Sequence, residues 1–317
     1  MTRNEKLGRA LLLLLGIAAI ALLIHDTGGA EVLSALAACA HWLPVVMALE
    51  ALGATADTMV ALSAYGEARV PRRTIARGAL ATYVCTQLLP GGRAVGEVIR
   101  ATLASKHVGR GVAATSALLA QGSHVIVVAL TGLTISLAVP ALDPTLRALI
   151  MGSTGWTLAL GTMMLLAPRS VRLAAWLAKR MKLSGLEEQL PPGPRMMSRT
   201  IGWAIVARAA HATQAALVVV AVLGAVSPRA ALASEGIQLM AASLADAVPG
   251  QTGVLEGAYR TFSSSVAGTL DDAPAHAVTM ALLLRVSRLS MASVGALALV
   301  FVRAAPVDAP ASETADR

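Results

Sequence analysis

The sequence predicts an all-α integral membrane protein, with about six spanning helices plus two re-entrant broken-helix hairpins related as an inverted repeat. Three observations carry this. Apolar residues make up 56% of the 317-residue chain and charged residues only 14%, against about 25% charged in an average soluble domain. The apolar residues gather into runs long enough to cross a bilayer, which takes about 20 residues in a helix. The cations sit in short clusters between those runs, the pattern of positive-inside anchoring.

The first run covers about 9–25. Leu36-Ala37-Ala38-Cys39 has the look of a lipoprotein cleavage box, but a polar stretch, His25 to Glu31, separates it from the apolar run. A signal peptide keeps its apolar region next to the cleavage site, so the run is expected to stay as a helix. The second span, about 32–64, is long and carries Pro44, Glu50 and Asp57. Val70-Pro71-Arg72-Arg73 reads as a turn. The stretch 73–105 is less apolar and is broken by Pro90-Gly91-Gly92. Each half is too short to cross alone, so the two are expected to form a re-entrant hairpin. Spans follow at about 111–139 and 145–167. Residues 169–190 read as a basic amphipathic helix on the inner membrane face, with Leu173, Ala174, Leu177 and Met181 opposite Arg172, Lys179 and Lys182. Pro191-Pro192-Gly193-Pro194 ends it, and the next span covers about 199–226. The stretch 230–268 is broken at Pro249-Gly250, a second hairpin, and a last span covers about 274–302. The Pro/Ala/acid-rich tail, 304–317, is expected to be disordered. One polytopic domain, 1–303, remains, with repeat halves at about 32–140 and 199–303.

A net charge of +8 invites a nucleic-acid reading, but aromatic residues are only 3% of the chain. The basic, aromatic-interleaved surface that reading needs is missing. Topology accounts for the charge instead. With both termini inside, Arg3, Lys6 and Arg9, then Arg69, Arg72, Arg73 and Arg77, then the large loop from Arg169 to Arg199 all fall on one side. The outer loops keep Arg147 and Arg229. Cys39 and Cys85 stand alone, with neither a metal motif nor a bridge in prospect.

The two broken segments match. Leu88-Leu89-Pro90-Gly91-Gly92-Arg93-Ala94-Val95-Gly96-Glu97 and Ala247-Val248-Pro249-Gly250-Gln251-Thr252-Gly253-Val254-Leu255-Glu256 both read Pro-Gly, five residues, Glu. Each has an arginine one turn later, Arg100 and Arg260, and each follows a Pro-Arg pair, Pro71-Arg72 and Pro228-Arg229. Three spans lie between them, so the copies are expected to have opposite orientation. That is the form of an inverted repeat whose broken helices meet near the midplane, as in many secondary transporters.

At these residues the chain resembles the membrane domain of lysylphosphatidylglycerol synthases and the stand-alone flippase-like proteins that share it. Members of the hopanoid-associated branch are similar in size. The resemblance rests on Leu89 to Arg100, on Pro249 to Gly257 and on Arg285 in the last span. Gln251 and Thr252 depart from it, since the family often has small residues there. The resemblance implies movement or binding of an anionic or amphipathic lipid across the cytoplasmic membrane of a prokaryote. It also implies no aminoacylation, because the soluble transferase domain of the full synthases finds no counterpart here. The alternative is an accessory protein that presents a lipid to a partner lipid-modifying enzyme.

The site chemistry follows from the same residues. Pro-Gly before a half-helix exposes amide groups at a positive helix end, which favours an anion. Arg93 adds a charge with fork geometry for phosphate. Gly91, Gly92 and Arg93 are therefore expected to hold a headgroup phosphate, with Pro249 and Gly250 in the matching place of the second copy. The competing reading is a glycine hinge that lets each hairpin turn. Glu97 and Glu256 are costly at membrane depth. Either they couple transport to a proton or ion, or they pair locally, Glu97 with Arg100 at i+3 and Glu256 with Arg260 at i+4. Arg208, His211, Arg285 and Arg288 lie inside spans, and Glu50 and Asp57 are the carboxylates available to neutralise them. Glu97, Arg100, Glu256, Arg260 and Arg285 are expected to bind substrate together with Gly91, Gly92, Arg93, Pro249 and Gly250, and Asp246, Gln121 and His124 join Glu50, Asp57, Arg208 and Arg288 as candidates for the cavity or for coupling. No Ser/His/Asp set, metal-ligand spacing or phosphate loop is present. No catalytic residue, metal or cofactor is expected, and an enzyme using Glu97 or His124 as acid/base is the weakest reading.

Overall fold

A computed structural model describes residues 30–301 apart from 31, 67–69, 90, 141, 167–192, 245–247, 249–252, 269 and 271. The expected first span, the amphipathic segment 169–190, the tail, and Asp246, Pro249 and Gly250 lie outside the described residues. The described residues hold helices and no strand.

A helical lead-in from residue 32 passes through a 3₁₀ turn, Ala40–Trp42, into α1, Leu43–Tyr65. Pro44 sits in the first turn of α1, where its missing N–H costs no bond. The first hairpin is α2, Arg72–Leu88, and α3, Gly92–Val108. Then come α4, Arg110–Ala138, and α5, Pro144–Leu166. The long helix α6, Pro194–Leu223, starts on the last proline of the Pro-Pro-Gly-Pro run. The second hairpin has α7, Pro228–Leu244, on one arm. Its other arm is two short pieces, α8, Val254–Thr261, and α9, Ser263–Ala267. The last helix is α10, Ala273–Phe301.

Five helical stretches are long and apolar enough to cross a bilayer: Val32–Tyr65, α4, α5, α6 and Ala273–Leu299 of α10. They coincide with five of the six expected spans. In a bilayer every backbone N–H and C=O needs an internal partner, which is why such runs fold as helices. The protein is an all-α, multi-pass membrane protein. The hairpin helices α2, α3 and α7 have 17 residues each, about 25 Å of helix at about 1.5 Å per residue. That is shorter than the hydrocarbon core of about 30 Å.

Packing is by neighbours. α1 lies along α6, α4 along α5, and α2 along α3, while α10 braces both hairpins. The main apolar core gathers Val46, Ile135, Ile150, Val218, Ile237, Tyr259 and Met280 from α1, α4, α5, α6, α7, α8 and α10. A second core joins Val60, Leu119, Val127, Leu165 and Ala204. Between them the helices leave a polar space.

Candidate functional site

The polar space is a cavity of ≈ 210 Å³. One stripe of α1 supplies Glu50, Ala54, Asp57 and Thr58, residues that share a helix face at spacings of three and four. Helix α2 adds Thr82, Tyr83, Thr86 and Gln87, and α3 adds Arg93, Glu97 and Arg100. His124 comes from α4, Arg208 and His211 from α6, Gln238 from α7 and Arg288 from α10.

The charges inside are arranged in pairs. Glu97 meets Arg100 across one turn of α3, as the i,i+3 spacing predicts. Arg208 meets Glu235 of α7, whose side chain is 1% exposed. Glu50 is a hub with a 2% exposed side chain. Its Oε1 accepts from the Tyr83 hydroxyl at 2.8 Å, and its Oε2 accepts from Gln214 Nε2 at 3.0 Å. His211 Nδ1 lies 3.8 Å and Arg288 Nε 3.9 Å from the same carboxylate. Arg288 also donates to Gln238. The neutralisation expected between the two charged groups thus occurs for Glu50. Asp57 takes a different partner, His124, with Nε2 at 3.2 Å.

Arg93 differs from the other cavity arginines. Its Nε donates to the neutral Gln121 side chain at 3.1 Å. No carboxylate pairs with it among the described residues. It is half-buried and faces the cavity from the first turn of α3, beside the helix end whose amides favour an anion.

The glycines before it serve the turn. Gly91 takes φ +59°, a left-handed conformation, and starts α3. A Cβ on Gly92 would overlap the Cys85 carbonyl, and one on Gly96 would overlap the Thr82 backbone. Gly92 and Gly96 therefore let α2 and α3 touch backbone to backbone, and neither lines the cavity.

The second copy of the motif is built otherwise. Gly253, at φ +82°, starts α8, so Glu256 falls at its third position and accepts from the Gly253 N–H at 3.0 Å. Arg285 of α10 takes both oxygens of the Glu256 carboxylate, which is 0% exposed. Spacing along the chain points to Arg260, one turn along the same helix, as the partner. The observed one comes from another helix, because α8 packs its buried face on α10. Neither Glu256 nor Arg285 lines the cavity.

The model for the lysylphosphatidylglycerol synthase TM region matches residues 9–302. The chain belongs to that family. No curated protein sequence matches it. Membership of the lysylphosphatidylglycerol synthase TM region family links this membrane domain to lipid handling, and the cavity is where its polar chemistry is concentrated.

Sequence reasoning misses several residues in and around the cavity: Glu235, Gln214, Gln238, Tyr83 and the α2 threonines. Glu235 carries a readable signal, a lone carboxylate within an apolar helix, the same signal that singles out Glu50. Gln214 and Tyr83 carry none, because their importance comes from the carboxylate they meet on another helix.

Proposed function

We propose that the protein binds the headgroup of an anionic or amphipathic membrane lipid in this cavity and carries it across the cytoplasmic membrane, without catalysing a reaction. The observation that carries the reading is Arg93: a cavity-facing arginine at a helix start, held by a neutral glutamine instead of a carboxylate. A fork of donors so placed is free to take a phosphate. Every other arginine lining the cavity already has a carboxylate close by. The family's link to lipids supports the same reading.

The inverted repeat belongs to this proposal, as does an orientation with both termini on the cytoplasmic side. Two likenesses of build support the repeat. A 17-residue helix leads into each break, and a glycine at positive φ starts the helix after it. Single cysteines replacing Lys106 and Val226, in a chain freed of Cys39 and Cys85, test the sidedness with an impermeant maleimide. Opposite sides are expected, and the same side would break the repeat.

The function is tested by reconstituting the purified protein in liposomes that carry a labelled lipid in both leaflets. The rate at which inner-leaflet headgroups become accessible to an external quencher is measured for anionic and zwitterionic lipids. Faster movement of at least one anionic or amphipathic lipid is expected. No movement of any lipid would remove the transporter reading and favour an accessory protein that presents lipid to a partner enzyme.

A further inference from the structure

The charges of the cavity balance, and the way they balance carries a consequence. Arg93, Arg100, Arg208 and Arg288 face Glu50, Asp57, Glu97 and, behind Arg208, Glu235. Three of these carboxylates have an arginine close by. Asp57 has a histidine. Three of the arginines have a carboxylate, and Arg93 has Gln121. The two charges outside the arginine–carboxylate pairs, Arg93 and Asp57, look into the same space. An anion placed on Arg93 satisfies one of them and leaves the cavity with a net negative charge, which a site of low dielectric resists.

We propose that the Asp57–His124 pair is a proton-binding site, and that an anionic headgroup binding at Arg93 takes up a proton there. This rests on the reading of the cavity as a lipid-headgroup site. His124 and Asp57 touch at 3.2 Å, the histidine side chain 15% exposed and the aspartate 42% exposed, so a proton can reach the pair from the cavity. The proton supplies the charge that the headgroup removes, and the loaded cavity returns to neutrality.

The 3.2 Å contact favours a proton over a second cation such as a headgroup amine, because a proton fits within it and an ammonium group does not. Asp57 is faced by His124 of α4, Arg93 and Glu97 of α3, Arg208 and His211 of α6, Tyr83 of α2 and Glu50 of its own helix. His124 is faced by Arg93 and Arg100 of α3, Arg208 and His211 of α6, and Asp57. Arg93 and Arg208 face both groups, so an anion on Arg93 offsets a positive charge that opposes a proton at the pair. By linkage the reciprocal holds: a proton on the pair tightens the anion.

The sign is definite. Binding takes up protons, so affinity for the anion rises as pH falls, by at most about tenfold per pH unit for one proton. The test uses the wild-type protein in lipid nanodiscs and calorimetry with dihexanoyl phosphatidylglycerol, whose phosphodiester does not titrate between about pH 5 and 8 where histidine does. Binding heats are compared in buffers of different ionisation enthalpy. A slope corresponding to uptake of up to about one proton per headgroup is expected. Dimethyl phosphate in a parallel arm separates a headgroup site, where only the lipid binds, from a free-phosphodiester site, where both bind with the same proton slope. The variant D57N/H124Q is expected to bind with a flat pH profile, whatever its affinity. Wild-type binding with no buffer dependence would overturn the proton proposal and leave the lipid site standing. Proton release, the result for an amine displacing a proton from the pair, would overturn it as well. No binding in either arm would overturn both.

Discussion

The two broken hairpins carry the same words in sequence and are put to different uses. In the first, α3 starts directly after Pro-Gly, so Glu97 lies more than a turn inside it, on the face that Arg93 and Arg100 share. In the second, α8 starts only at Val254, so the glutamate at the same distance from Pro-Gly lands in the first turn and closes on its own helix start. A shift in where the helix begins moves one carboxylate into a cavity and the other into a sealed pair with Arg285. The first hairpin is two unbroken arms in backbone contact, and the second has one arm divided at Phe262. Matching spacing in a repeat does not imply matching roles.

The largest expected effect tests the sealed half. Glu256→Ala leaves the Arg285 guanidinium buried without its carboxylate, and breaking such a pair costs about 3–5 kcal/mol. Thermal unfolding in detergent should show a severely destabilised protein. A melting temperature like wild type would mean that the pair is not the staple of the second hairpin.

The next effect tests the closeness of the first hairpin's arms. Gly92→Ala forces a methyl into the Cys85 carbonyl, and overpacking of this kind costs about 1–3 kcal/mol. Gly257→Ala in α8 meets nothing within 4 Å and should melt as wild type does. Equal behaviour of the two would deny the backbone contact between α2 and α3. A smaller loss is expected for Tyr83→Phe, which removes one of the donors to Glu50. The cost is about 1 kcal/mol, read by the same unfolding curve, because Gln214, His211 and Arg288 remain around that carboxylate.

Much of this architecture is legible in the amino-acid sequence. Hydropathy places the five described spans, and Pro-Gly marks the break in the first hairpin. The Glu97–Arg100 pair follows from spacing along one helix. What escapes is whatever depends on how helices rotate against one another. Glu235 meets Arg208, Gln214 meets Glu50 and Arg285 meets Glu256 only after α6, α7 and α10 have packed. Helix starts escape too: the chain signals where α3 begins with Gly91, but Gly253 is one of several small residues after Pro249. The anion reading of Gly92 meets a similar limit, since its contact with Cys85 depends on the hairpin closing.

The most direct test of the account carries only a modest effect on stability. Arg93 is half-buried and bonded to a neutral side chain, so Arg93→Ala loses one hydrogen bond, at a cost of about 1 kcal/mol, and the protein should stay folded. Transbilayer movement of labelled anionic lipid, measured per folded protein in liposomes, should nevertheless fall to the protein-free rate. Movement at the wild-type rate in the Arg93→Ala protein would contradict the assignment of the first hairpin as the lipid-binding half.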